Sequence, residues 1–136
     1  MAERFEELDV WQRARELTKS VYDLSDLGVF ARDFGLRDQM RRAAVSIMSN
    51  IAEGFESRTQ ALFIEFLGRA RGSAGELRAQ LYIALDCSYL TQDQLIDALR
   101  QAETCSKQIA RLIQYLETQP NTRRVRESTI VYDLTP

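Results

Sequence analysis

The chain contains no histidine. That absence removes Ser-His and Cys-His nucleophile pairs, imidazole acid–base chemistry and the commonest zinc ligand sets. Cysteine is scarce: Cys87 and Cys105 stand alone, without a CxxC spacing. They read as reduced thiols, not as a disulfide framework or a metal knuckle. Lysine occurs only at positions 19 and 107, so the basic side chains are nearly all arginine. Base composition of the gene accounts for such a bias, and so does bidentate pairing with carboxylate or phosphate. No apolar run approaches the ~20 residues of a membrane span. The opening "MAERFEELDV" is acidic and lacks the apolar stretch of a signal peptide. The expectation is a cytoplasmic protein with no membrane partner.

What remains is ordinary globular composition, with 45% hydrophobic and 28% charged residues in 136. A chain of this length forms one domain able to bury a core without staples. Eighteen basic residues face twenty acidic ones, for a net charge of −2. The two signs are interleaved along the chain, so no segment carries the basic block of a nucleic-acid binder. Folding can still gather arginines onto one face.

The hydrophobic period is helical throughout. Val10, Ala14, Leu17, Val21 and Leu24 form a first stripe, with Asp9 and Gln12 at capping-box spacing. A second run goes from Leu36 to about Phe55. Ser57 with Gln60 is read as the start of a third helix, and Thr91 with Gln94 as the start of a fourth, which Pro120 ends. Short connections between long helices predict an all-α fold, an antiparallel up-down four-helix bundle over residues 1–119. The stretch 120–136, containing the β-branched and aromatic "STIVY", reads as an extended C-terminal arm. It folds back on its bundle, lies on a neighbour, or is a disordered tail.

On the second helix, Gln39, Arg42, Ser46, Asn50, Glu53 and Ser57 share a narrow polar stripe. Apolar residues fill most of the remaining circumference, more than the roughly 100° of a helix packed on one face. The helix is therefore expected to touch the core and a second surface. Arg41 sits inside the apolar arc and must snorkel outward or meet a carboxylate. The polar stripe is either a solvated face or a network against a facing helix, in which Arg71, Ser73 and Glu76 are the natural partners. The third helix adds a stripe of Gly68, Gly72, Gly75 and Ala79 beside its core face. Each interior glycine costs ~1 kcal/mol relative to alanine. Close helix packing along the stripe would offset this; a flexible or kinked helix is the alternative.

Three segments, "LDVWQRARELTKSVYDL" with Trp11, "GLRDQMRRAAVSIMSNIAEGF" and "FIEFLGRARGSAGEL", resemble in order the four-helix bundles of the 23S rRNA-intervening-sequence family. The resemblance spans about residues 5–117 and rests on "RRA", "SI-x-SNIAEG" and "ARGS-x-x-EL". Met48 departs from it, standing where the family commonly has proline, so a kink expected there is weakened or absent. The resemblance implies a cytosolic bundle that assembles with itself as a homopentameric ring. By motif position it carries over Arg41, Arg42, Ser46, Asn50, Glu53, Gly54, Arg71, Gly72, Ser73 and Glu76 as family-like residues. It also implies association with RNA, because some relatives are encoded inside intervening sequences of 23S rRNA genes. A related pentameric bundle, the accessory protein of diversity-generating retroelements, is strongly basic, which this chain is not.

Two functions compete. One is a non-enzymatic, homo-oligomeric scaffold or interaction module. The other is an RNA- or DNA-binding accessory protein, with Arg41, Arg42, Arg69, Arg78 and the tail residues Arg123, Arg124 and Arg126 as candidate contacts. An enzyme is a distant third: Glu53 and Glu76 could pair as acid and base, but no catalytic nucleophile, cofactor or metal motif accompanies them.

Overall fold

The computed structural model describes residues 2–120. The arm expected beyond Pro120, including Arg123, Arg124 and Arg126, lies outside the described residues. A short 3-10 turn, Phe5–Glu7, precedes four helices: α1 (Asp9–Ser25), α2 (Phe34–Glu56), α3 (Gln60–Asp86) and α4 (Gln92–Thr118). A second 3-10 turn, Phe30–Arg32, sits between α1 and α2.

The contacts fix the topology. Thr18 Oγ1 donates to the Ala44 carbonyl, while Ser25, further along α1, meets Arg41, earlier in α2. Ser46 bonds Ser73, and Gly54 packs on Phe63, so α2 and α3 also run in opposite directions. Arg78 reaches Glu103 while Gln60 reaches the Leu116 carbonyl, which sets α4 antiparallel to α3. Ser20 Oγ donating to Gln101 Oε1 closes the ring between α1 and α4. The result is the up-down bundle expected from the short connections.

The core follows the helical period. Leu17, Met40, Ile47, Ile51, Leu67, Leu77, Leu81 and Ile109 are fully buried. Each such side chain contributes about 1.5–3 kcal/mol by leaving water. Alanines at 14, 43, 44, 70, 74, 84, 98 and 102 are buried between them. The wide apolar arc of α2 is spent inside the chain: α1 covers one flank and α3 the other. Its second surface is thus a neighbouring helix of the same bundle. α2 passes through Met48 without interruption.

Helix starts agree with the sequence only in part. The Thr91–Gln94 box forms in both directions. At α3, however, the cap is Thr59, whose side chain accepts from the Leu62 amide. Ser57 ends α2 instead, its hydroxyl donating to the Gly54 carbonyl. Gln60 is buried, and its amide donates to the Leu116 and Gln119 carbonyls at the end of α4. Asp9 does not cap α1: Leu8 holds the cap position with no side-chain bond, and Gln12 reaches back to the Glu6 carbonyl. α2 starts before Leu36, with Asp33 as its cap.

α3 ends in a Schellman motif. The Tyr89 amide donates to the Ala84 carbonyl and the Ser88 amide to the Leu85 carbonyl, both at 2.8 Å. This places Ser88 at φ 62, the one positive φ outside glycine among the described residues. A side chain there costs about 1–2 kcal/mol, partly offset by the greater freedom that glycine has in the unfolded chain. Ser88→Gly is therefore expected to stabilise the bundle by roughly 0.5–1 kcal/mol, read as a higher midpoint in urea. A lower midpoint would show that the Ser88 side chain is held favourably.

Candidate functional site

Three surfaces converge on α3. The first is its seam with α2. Ser46 and Ser73 share a hydrogen bond of 2.9 Å, and Asn50 Nδ2 donates to the Ser46 carbonyl (2.8 Å) and to Ser46 Oγ (3.0 Å). Ser46, Asn50 and Ser73 are half-buried, so the amide and hydroxyls are satisfied within this small cluster.

Among the described residues, the rest of the expected network does not assemble. Arg42, Glu53, Arg71 and Glu76 are exposed. Glu76 accepts from Gln80 on its own helix at 3.3 Å, and Arg71 turns toward α4. Among the described residues no buried ion pair forms at Glu53, which is exposed, and the α2–α3 register brings Ser73 opposite Ser46. Arg41 solves its position in the apolar arc by crossing to α1. Its guanidinium lies 4.5 Å from the Tyr22 ring centroid, and Nε donates to Ser25 Oγ at 2.8 Å. Nη2 reaches the Tyr22 carbonyl at 3.4 Å and stands 3.9 Å from Asp26. A cation beside the last carbonyls of α1 is favourably placed in the helix dipole field. Arg41 thus fastens α2 to the end of α1.

The second surface is the stripe Gly68, Gly72, Gly75 and Ala79. All four are exposed, and a Cβ built at any of the three glycines meets nothing within 4 Å. The stripe is not a packing contact inside the bundle; it looks outward along α3. Tyr82 and Ile83 continue the same face, 51% and 49% exposed. The glycine that does make a close helix–helix approach is Gly54, where an added Cβ would lie 2.9 Å from both Phe63 Cδ1 and Phe66 Cβ. The sequence lists Gly54 only as a family-like residue; its role depends on which α3 side chains arrive opposite it.

The third surface is an open groove of about 400 Å³ between α3 and α4. Arg71 and Arg78 line one wall; Lys107, Arg111 and Glu103 line the other. Ser106, Ala110 and Gln114 complete it. Lys107 and Arg111 were missed as site residues. Their i,i+4 spacing was legible, but joining them to Arg71 and Arg78 required the α3–α4 register. Of the other sequence candidates, Arg69 pairs with Glu65 at 2.9 Å and lies over the Phe66 ring, apart from the groove.

Cys105 is not a candidate for chemistry. Cys87 is exposed and Cys105 buried. Burial pushes the Cys105 thiol up to about 11, partly opposed by Arg13, which keeps it protonated and inert at neutral pH. Among the described residues, no group of three or more acidic or thiol side chains is placed to hold a metal ion, and no helix is long and apolar enough to cross a membrane.

Comparison with known proteins places this architecture. In structure, the chain is similar to a protein of unknown function from the S23 ribosomal protein family of Bacteroides thetaiotaomicron, solved by crystallography. The TM-score is 0.72 at 23% identity, over 77% of this chain and 95% of that one. At that identity the likeness speaks for the fold alone. No curated protein matches the sequence. The family model for the 23S rRNA-intervening sequence protein matches residues 6–111, nearly the whole bundle. The chain therefore belongs to the 23S rRNA-intervening sequence protein family.

Proposed function

We propose that the protein is a non-enzymatic assembly module of the cytoplasm, which self-associates through the outward face of α3 into a homo-oligomeric ring. The observation that carries this reading is the position of the glycine stripe. Three glycines at helical spacing cost about 3 kcal/mol relative to alanine, and no contact among the described residues requires them. A second backbone laid along the stripe would recover that cost through close packing, with Tyr82 and Ile83 supplying apolar area at its end. A cyclic ring needs one face of each copy to meet a different face of the next. The exposed α1–α2 corner, where Val29 and Phe34 are 66% and 61% exposed, offers a second patch of apolar surface.

The family resemblance supplies the number of subunits, five. Sedimentation velocity of the purified protein tests it. A single species at five times the chain mass is expected across a dilution series. A species at the mass of one chain at every concentration would refute self-association.

A further inference from the structure

We infer that the α3–α4 groove is a binding site for the phosphate backbone of single-stranded nucleic acid, a role independent of self-association. The bundle as a whole is not basic, yet Arg71, Arg78, Lys107 and Arg111 line this groove together with a single carboxylate, Glu103. The cations are spaced, not clustered. Arg71 and Arg78 stand two helical turns apart, roughly 10 Å along α3, and Lys107 and Arg111 about 6 Å apart along α4. That spacing suits a polymer of repeated charge better than one small anion. Glu103 holds Arg78 loosely: Nη2 is 3.4 Å from Oε1, and the two side chains are 44% and 47% exposed. Such a pair contributes at most ~1 kcal/mol, so an incoming phosphate can replace the carboxylate. Arg78 Nε is buried with no hydrogen-bond partner among the described residues, so Glu103 does not hold the guanidinium at every donor.

The lining also favours phosphate over an acidic protein segment. Peptide docking draws on buried apolar or aromatic anchors, and Ala110 is the only hydrophobic side chain here. Phosphate contacts require no such anchor. Without an aromatic residue to stack bases, the site reads backbone charge and not sequence.

The test is fluorescence anisotropy of a short, labelled single-stranded RNA of mixed sequence against the full chain, over a salt series. With four phosphate contacts at about −0.7 each in log–log slope, raising salt from 50 to 200 mM should weaken binding about fifty-fold. The double variant Arg71→Glu with Arg111→Glu changes two exposed side chains and should lose at least tenfold in affinity at low salt. Arg15→Glu with Lys19→Glu, an equal change of charge on α1, should lose far less. Circular dichroism and mass confirm that each variant keeps its fold and assembly. No binding at 50 mM salt would overturn the inference. So would equal losses in the two double variants, or loss only when Arg123 and Arg124 in the C-terminal arm are reversed to Glu. Displacement of the RNA by polyglutamate at matched charge would reassign the groove to acidic protein segments and also overturn it.

Discussion

Phe30→Ala is expected to remove about 3–5 kcal/mol of stability, the range for truncating a buried aromatic side chain. Phe30 is 1% exposed although it belongs to a 3-10 turn and not to a helix. Its ring stacks on Tyr89 at 5.1 Å between centroids. Tyr89 in turn donates its hydroxyl to Asp33 Oδ2 at 2.9 Å, and Asp33 Oδ1 caps α2 through the Leu36 amide. One side chain therefore joins the α1–α2 corner to the α3–α4 turn, and its loss leaves a cavity under a cap. Domains are stable by only about 5–15 kcal/mol, so the variant approaches global unfolding. Urea titration followed by circular dichroism should show a much lower midpoint with an unchanged slope. A loss below 1 kcal/mol would mean that the corner is not part of the core. The same cluster carries a pH signature. The hydrogen bond to Asp33, then desolvation, raise the Tyr89 hydroxyl above its ordinary 10.0. Its contribution is present below pH 10 and is lost as the pH rises through the folded value.

The second large effect is at Gly54, and its sign distinguishes two kinds of glycine. A Cβ there would be 2.9 Å from Phe66 Cβ and 3.3 Å from the Phe63 carbonyl oxygen. Neither atom can rotate away, because both are fixed to the α3 backbone. Gly54→Ala gains ~1 kcal/mol of helix propensity and loses ~1–3 kcal/mol to overpacking. Gly54→Val adds two further carbons to the same contact and should exceed the top of that range, forcing α2 and α3 apart. Gly68→Ala, by contrast, enters open space within the bundle, so the single chain should gain close to the full ~1 kcal/mol, and any loss should appear only in the assembly. Thermal melts of the three variants compare them directly. Stabilisation by Gly54→Ala would show that the α2–α3 end is loosely packed.

The contrast between Gly54 and Gly68 also shows how much the chain discloses before it folds. Residues whose role depends on helical period were legible: Leu17, Ile47, Leu77 and Ile109 each fall on a face that period alone identifies. The Thr91–Gln94 cap was legible because both partners lie within one turn. Ser57–Gln60 has the same spacing and fails, because Gln60 finds better acceptors at the end of α4. No local rule reveals a partner that far along the chain. The polar stripe was legible as a stripe, but its division into a satisfied Ser46–Asn50–Ser73 cluster and exposed Arg42 and Glu53 depends on the register of α3. The groove required still more, since its four cations come from two helices whose alignment only tertiary packing sets. The glycine stripe was visible from the start. Its direction, away from the bundle, was not.

That direction supports the central claim, and Gly72→Leu tests it most directly. Among the described residues a Cβ at position 72 meets nothing within 4 Å, and leucine is the better helix former by somewhat under 1 kcal/mol. The isolated bundle should therefore keep its fold and its melting temperature or gain slightly. A neighbouring helix packed on the stripe could not accept four added carbons. Native mass spectrometry of the parent protein and the variant at equal concentration is the decisive measurement. The account predicts a homo-oligomer for the parent and single chains for a folded Gly72→Leu. A Gly72→Leu protein that assembles as the parent does would contradict it.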